Sequence, residues 1–146
     1  MSQVLAMYNA MGAEQFSAGV CQMAPYFSTI EPTLTALRPG HAEARVAFRR
    51  EITNHIGTVH AIALCNAAEL VAGTMTDVSV PAGARWIPKG MTVEYLAKAK
   101  TDIRAVADGS QIDWSQGGDL VVPVEVFDTQ DQKVFTARIT MNVKLA

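Results

Sequence analysis

Three polar side chains interrupt an apolar stretch between residues 59 and 76. They are His60 at its start and Asn66 and Glu69 within it. A carboxylate among apolar side chains is costly unless it is paired, and burial raises the pKa of a carboxyl group toward neutrality, where it can serve as a general base. Glu69 is therefore a candidate base. The alternative is that it faces solvent or pairs with an arginine.

The run Asn54-His55-Ile56-Gly57-Thr58-Val59-His60 leads directly into that stretch. It combines a glycine turn, a side-chain amide and the free backbone amides expected at a helix N-terminus. Such amides can hold a carbonyl oxygen that acquires negative charge during a reaction. The alternative is an ordinary loop at a helix entry.

His60 and Glu69 are nine residues apart. In a helix this spacing puts them on opposite faces and about 13 Å apart along the axis, so they cannot meet within one chain. If two such helices run antiparallel across a two-fold axis, Glu69 of one chain can approach His60 of the other. A site built from both residues therefore implies a homodimer.

Two helices and six strands are predicted around these residues. Phe16, Val20 and Met23 recur at helical spacing and predict an N-terminal helix over about 11–24. The small apolar residues of 59–76 predict a buried central helix. The remaining runs have strand character: Thr33 to Leu37, Ala42 to Phe48, Gly90 to Ala97, Thr101 to Asp108, Asp119 to Asp128 and Val134 to Leu145.

This order predicts an α+β fold in which a curved antiparallel sheet wraps around one long central helix, the hotdog arrangement. Residues 1–146 are expected to form a single domain, with the last four strands in a meander. Pro123 lies inside the fifth strand, which predicts that this strand is at an edge of the sheet or carries a bulge.

Composition limits the function classes. The chain is 49% hydrophobic and 18% charged, which favours a buried subunit contact, and its net charge of −2 with scattered basic residues excludes a nucleic-acid binder. Cys21 and Cys65 lack metal-ligand spacing, so neither a disulfide nor a zinc site is expected. No basic leader and no run of about 20 apolar residues is present, which predicts a soluble, cytoplasmic protein without a membrane partner.

Residues Asn54, Gly57, Thr58, His60 and Glu69 also carry a family resemblance. They match the pattern Asn-x-x-Gly-Thr-x-His-Gly-Gly, followed nine residues after the histidine by Asp or Glu. In this the sequence resembles the hotdog acyl-CoA thioesterases of the phenylacetate-degradation type, and a thioesterase-like branch of that superfamily in particular. The similarity in strand order extends from about residue 27 to the C-terminus.

The resemblance implies a role for each matched residue. Asn54 would position the loop and the thioester, with Gly57 in the same loop, and His60 would order the helix entry. The backbone amide of Ala61 would polarise the thioester carbonyl. Glu69 would act from the opposite subunit, by activating water or by attacking the thioester directly.

One departure from the family pattern concerns the oxyanion site. Ala61 and Ile62 stand where the family has two glycines. Alanine still offers its N–H, whereas Ile62 narrows the approach to it, so reaction rate and substrate size are affected more than the fold. Asn66 is a further candidate for the substrate pocket.

Coenzyme A contacts are expected at Lys98 and Lys100, beside a hairpin after the third strand, although solvated lysines explain them equally well. Arg85, Lys89 and Arg104 rank lower. The three histidines lack metal-ligand spacing, and no base accompanies Cys65 as a nucleophile.

The expected function is thus acyl-CoA thioester hydrolysis by a homodimer or a dimer of dimers, with no cofactor beyond the coenzyme A of the substrate. A non-catalytic hotdog dimer that binds an acyl or aromatic ligand remains an alternative, as does a hotdog hydratase or dehydratase. The fold alone does not choose among them, and the acyl group is left open.

Overall fold

The computed structural model describes residues 1–146 and contains three α-helices and six strands. The helices are α1 (Gln3–Met11), α2 (Ala13–Met23) and α3 (Ala61–Ser79), and 3₁₀ turns occur at Pro25–Ile30 and Arg50–Ile52. The strands are β1 (Thr33–Arg38), β2 (His41–Val46), β3 (Arg85–Tyr95), β4 (Ile103–Asp108), β5 (Gly118–Phe127) and β6 (Lys133–Lys144).

The six strands form one antiparallel sheet in the order β1-β2-β4-β5-β6-β3. Helix α3 contacts all six of them, and the buried apolar residues form one cluster between the helix and the sheet. The expected α+β arrangement, with a sheet around one central helix, is confirmed. Ala67, Ala68 and Ala72 are fully buried, because small side chains let the sheet approach the helix axis closely.

The central helix is shifted toward the C-terminus relative to the predicted 59–76. It begins at Ala61, because His60 caps it and Val59 bridges to Thr53 instead. It continues to Ser79, since Val78 is also buried against the core. By length and hydropathy α3 could cross a membrane, yet 67% of it is buried inside the fold, as in the core helix of a soluble domain.

The N-terminal region contains a helix that the sequence did not predict. Helix α1 is capped by Ser2, whose side chain accepts a hydrogen bond from the amide of Leu5, and it ends at Gly12, where φ is +82°. Helix α2 matches the predicted 11–24. The hydroxyls of Tyr8 and Ser17 both bond to the backbone of Leu34, so the two helices dock on β1.

The predicted meander of the last four strands is wrong. Strand β3 lies at the sheet edge beside β6, whereas β4 pairs with β2 in the interior. Alternation along a strand shows which side chains face the core but not which strands are neighbours. The 96–102 segment is therefore a crossover rather than a hairpin.

Of the two alternatives predicted for β5, the edge position is wrong, because β5 lies between β4 and β6, whereas the second, a bulge, agrees with a register irregularity in the pairing of β5 with β6. The β4 ladder ends at the pair Ala107 and Val124, so Pro123 lies just past it and pairs only with Arg138 of β6. The register irregularity in the pairing of β5 with β6 falls between Val126 and Phe127. A proline is tolerated here because the pairing with β4 has already ended.

Candidate active site

The segment 53–60 forms a tight loop organised by Asn54. Its Oδ1 accepts hydrogen bonds from the amides of Ile56 and Thr58, both at 3.1 Å, and its Nδ2 donates to the Thr58 hydroxyl at 2.9 Å. Gly57 has φ of +79°, a left-handed conformation that favours glycine. Asn54 and Gly57 are therefore both needed for the shape of this loop.

Two further bonds fasten the loop to the rest of the fold. The amide of Val59 donates to the carbonyl of Ala99 at 2.8 Å, and that of His60 donates to the carbonyl of Ile52 at 2.8 Å. Lys98 and Lys100 flank Ala99, so the structure places these lysines beside the helix-entry loop rather than on a hairpin. Neither lysine makes an ion pair.

The start of α3 leaves two backbone donors open, the amides of Ala61 and Ala63. His60 is the N-cap, and its Nδ1 accepts a hydrogen bond from the amide of Ile62 at 3.0 Å. The amide of Ala61 makes no hydrogen bond within the chain. It therefore remains available at the positive end of the helix dipole, where an oxyanion is stabilised.

Beyond this turn, one face of α3 is not covered by the sheet. Ile62 is 52% exposed, and Cys65 and Glu69 follow on the same face. The Cys65 Sγ lies 3.7 Å from the hydroxyl of Tyr95 on β3. This hydrogen bond and partial burial raise the pKa of Tyr95.

Glu69 is exposed and makes no ion pair or hydrogen bond within the chain. The burial that the sequence predicted for Glu69 is therefore wrong for this chain, in which the side chain faces solvent. Its carboxylate instead lines a groove of about 850 Å³ between the N-terminal helices, α3 and β3. The groove has a mainly apolar wall: Val4, Met7, Met11, Phe16, Gly19, Val20, Gln22, Met23, Ala24, Pro25, Tyr26, Phe27, Leu70, Gly73, Thr74, Asp77, Trp86 and Pro88.

Asn66 does not line this groove. It is only 6% exposed, and its Nδ2 donates to the Thr29 hydroxyl at 3.1 Å and to the Tyr26 carbonyl at 3.4 Å. Its Oδ1 is buried without a partner. Asn66 thus fastens the 3₁₀ turn Pro25–Ile30 to α3.

The basic residues that ranked lower as coenzyme A contacts differ in whether they are free to bind a phosphate. Arg104 lies 2.8 Å from Glu43 and 3.3 Å from Asp131, and Lys89 lies 2.7 Å from Asp119, so both are neutralised by carboxylates. A second cavity of about 590 Å³ is polar and adjoins the helix-entry loop, with Arg50 and His55 in its wall beside Asn54. No group of three His, Cys, Asp or Glu side chains is close enough to hold a metal ion.

Sequence reasoning missed the groove, including Asp77 and Trp86. The indole nitrogen of Trp86 donates to Asp77 at 2.8 Å. Asp77 lies two turns after Glu69 on one helix face, which was a usable signal. The α1 and α2 wall gave no signal, because it depends on how those helices dock on β1.

The fold is that of a hotdog-fold protein. A family model described as a domain of unknown function, DUF4442, matches residues 12–143, and the chain belongs to that family. A search of curated proteins found no match.

Solved structures support the same fold. A crystal structure from a genomics programme is 64% identical over 99% of this chain and 97% of its own, with a TM-score of 0.91. A thioesterase from Haemophilus influenzae is 13% identical over 91% of each chain, with a TM-score of 0.79. A Streptococcus mutans protein bound to acetyl-CoA is 18% identical over 76% of this chain and 86% of its own, with a TM-score of 0.67.

Proposed function

We propose that this chain is an acyl-CoA thioester hydrolase, active as a homodimer in the cytoplasm, with all 146 residues forming one hotdog domain. The observation that carries the proposal is the open amide of Ala61 at the start of α3, held by the His60 cap and the Asn54 loop. The hotdog relatives that are described as thioesterases, or that bind acetyl-CoA, support this substrate class.

A second copy is needed to complete the site. Glu69 follows His60 by nine residues, which corresponds to about 13 Å along α3. The open amide and the carboxylate of one chain therefore cannot act on the same carbonyl group. Two α3 helices packed antiparallel would bring the Ala61 amide of one subunit to Glu69 of the other. The same contact would cover the exposed face of α3 and give Glu69 the burial that it lacks in one chain.

The reaction then follows from these groups. Glu69 removes a proton from water, and the oxygen attacks the thioester carbon while the Ala61 N–H stabilises the oxyanion. The oxyanion collapses, the C–S bond breaks, and Glu69 returns the proton to the thiolate of coenzyme A. The products are a carboxylic acid and free coenzyme A.

The nucleotide part of coenzyme A fits the basic surface near the loop. Lys98 and Lys100 are exposed, free of ion pairs and held beside the loop by the bond from Val59 to Ala99. Phosphate groups would neutralise them without breaking any existing contact. Arg85 is exposed but lies at the other end of β3.

The proposal is tested with a panel of short, long and aromatic acyl-CoAs and the variant Glu69→Gln. The amide keeps the shape of the carboxylate but not its basicity, so we expect kcat to fall by about 10² or more with folding and substrate binding retained. Glu94→Gln, an exposed carboxylate outside the groove, is the matched control and should keep full activity. Near-full turnover by a folded Glu69→Gln dimer would contradict the assignment of the base.

One observation favours a second candidate, a non-catalytic acyl-binding dimer. Ile62 follows the open amide directly and is 52% exposed, so its side chain narrows the approach that glycine leaves free in the related pattern. If the wild-type protein binds an acyl-CoA tightly but hydrolyses none of the panel, this candidate replaces the hydrolase.

A further inference from the structure

Three residues of α3 mark the length of the apolar groove. Glu69, Gly73 and Asp77 are four residues apart along the helix and all line the groove. Residues at this spacing share one face, and eight residues of helix span about 12 Å. The groove therefore runs along α3 from the proposed base toward Asp77.

The indole of Trp86 is fixed over the half of the groove that is farther from Glu69. Its Nε1 donates to Asp77 Oδ1 at 2.8 Å. The ring lies so close to Gly73 that a Cβ at this position would be 2.9 Å from the nearest ring carbon. A hydrogen bond on one side and the missing side chain of Gly73 on the other therefore define the position of the ring.

The chemistry of the groove wall selects its occupant. No Lys, Arg or His is among the lining residues, and the two charged side chains present, Glu69 and Asp77, are carboxylates. Such a wall repels an anion and accepts a neutral chain. Met7, Met11 and Met23 add flexible, polarizable side chains that adapt to an alkyl group.

We propose that this groove receives the acyl chain of the substrate and that Trp86 limits the length of that chain, an inference that rests on the proposed hydrolase function. An extended alkyl chain advances about 1.25 Å per carbon, given C–C bonds of about 1.5 Å. From Glu69, the ring over Gly73 and Asp77 is reached after about 6 to 12 Å of helix. The substrate class is therefore medium-chain acyl-CoA, with an acyl group of about 6 to 10 carbons.

The negative charge of the groove wall also favours release of the product. The neutral thioester enters without charge repulsion, whereas hydrolysis creates a carboxylate beside Glu69. The carboxylate of the product and that of Glu69 repel each other, and no cation of the groove wall holds the product. Product binding is therefore weaker than substrate binding.

The test measures kcat/KM for straight-chain acyl-CoAs of 4 to 18 carbons, with phenylacetyl-CoA included, in wild type, Trp86→Ala and Trp86→Phe. In wild type we expect kcat/KM to fall about tenfold or more from the 10-carbon to the 16-carbon substrate. In Trp86→Ala the ratio of 16-carbon to 8-carbon activity should rise at least tenfold. Trp86→Phe gives a smaller shift in the same direction and guards against misfolding of the alanine variant.

The matched control is Ile87→Ala, the next residue on β3, which is exposed and does not line the groove. It should keep the wild-type chain-length profile. A wild type that prefers 16 carbons or phenylacetyl-CoA would overturn the inference, as would folded Trp86 variants that keep the profile unchanged.

A second readout separates this inference from the hydrolase proposal. If wild type hydrolyses no acyl-CoA, the hydrolase proposal fails, and dissociation constants of non-hydrolysable alkyl-CoA thioethers of the same lengths are measured instead. Tightest binding near 6 to 10 carbons, moving to longer chains in Trp86→Ala, still supports the groove as the acyl site. Binding independent of chain length, or no binding, overturns it.

Discussion

A histidine at the N-cap of α3 satisfies one of the first backbone amides of the helix. Its Nδ1 accepts from the amide of Ile62, two residues on, while the amides of Ala61 and Ala63 have no partner in the chain. In the neutral imidazole the proton is then on Nε2. The cap therefore fixes the helix entry and leaves the amide of the proposed oxyanion site free.

The first residue-level prediction concerns Asn54. Asn54→Ala removes the three hydrogen bonds that the Asn54 side chain makes within the loop, so the loop should hold the Ala61 amide less well. We expect kcat to fall about tenfold, less than for Glu69→Gln, because the base remains in place. Asn54→Asp keeps the two accepting bonds and should retain most of the activity. Steady-state kinetics on the best acyl-CoA decides, and a loss equal to that of Glu69→Gln would contradict the positioning role.

His60 gives a second prediction, on stability. His60→Ala removes the cap of α3 and should lower the free energy of unfolding by about 1 kcal/mol, the usual cost of losing an N-cap acceptor. His60→Asn replaces it with a side chain that caps well and should recover most of that loss. Urea unfolding followed by circular dichroism measures both, and equal stabilities of all three proteins would show that the cap contributes nothing.

Among the elements, α3 and the strands were predictable and α1 and the strand order were not. The small residues of α3 and the alternation in β5 and β6 report burial directly, which is a local property. The position of β3 beside β6 depends on a crossover over 96–102, which leaves no mark on the local pattern. Helix α1 is short and uncharged, and Leu5 is its only buried residue, so its apolar pattern is too weak to predict a helix from the sequence.

Part of the candidate site was predictable from the sequence and part was not. The loop from Asn54 to His60 could be read from the sequence, because its turn and its cap involve neighbours along the chain. The groove could not, since it joins α1 and α2 to residues such as Trp86 that are distant in sequence. Glu69 was found as an unusual carboxylate, but its exposure follows from the gap left between α3 and β3.

Asp102, at the end of the crossover before β4, gives a pH-dependent prediction. It accepts hydrogen bonds from the amide of Phe48 at 2.7 Å and from Arg45 at 3.2 Å, and these lower the pKa of Asp102. A lowered pKa in the folded state contributes stability above the unfolded value of about 3.9, and this contribution is lost as pH falls through the folded value. Asp102→Asn should therefore cost about 1 kcal/mol at pH 7, discounted for its partial exposure, and nothing near pH 2.

Urea unfolding of wild type and Asp102→Asn between pH 2 and 7 checks this expectation. Asp131→Asn is the control, because its carboxylate is highly exposed and its bond to Arg104 is 3.3 Å long. A constant difference between wild type and Asp102→Asn at every pH would show that the side chain acts through shape rather than charge.

At the scale of the whole molecule, the two faces of the sheet differ in polarity. The outer face carries the ion pairs of Arg104 with Glu43 and Asp131 and is well suited to water. On the inner face, β3 pairs Met91 with Ile139 and Tyr95 with Phe135, so Met91 and Tyr95 point toward the helix layer. Both remain exposed, because α3 covers neither of them and touches Tyr95 only through Cys65.

The uncovered part of β3 and the exposed face of α3 form one surface, joined by the contact of Cys65 with Tyr95. β3 is also an edge strand, whose free backbone groups can pair with another chain. In each chain this surface extends from Glu69 toward the start of α3, while the groove extends from Glu69 the other way. A second copy seated on it would bring its Ala61 amide toward Glu69 and leave the groove open for the acyl chain.

The last prediction tests this surface with two equally exposed apolar residues. Met91, 43% exposed on the inner face, and Val121, 44% exposed on the outer face of β5, are each replaced by lysine. Met91→Lys should shift the protein from dimer toward monomer in sedimentation velocity at micromolar concentration and abolish acyl-CoA hydrolysis, because a charge would be buried in the contact. Val121→Lys should leave both unchanged. A stable wild-type monomer that still hydrolyses acyl-CoA would contradict the shared site, since in one chain Glu69 and the Ala61 amide act about 12 Å apart along α3.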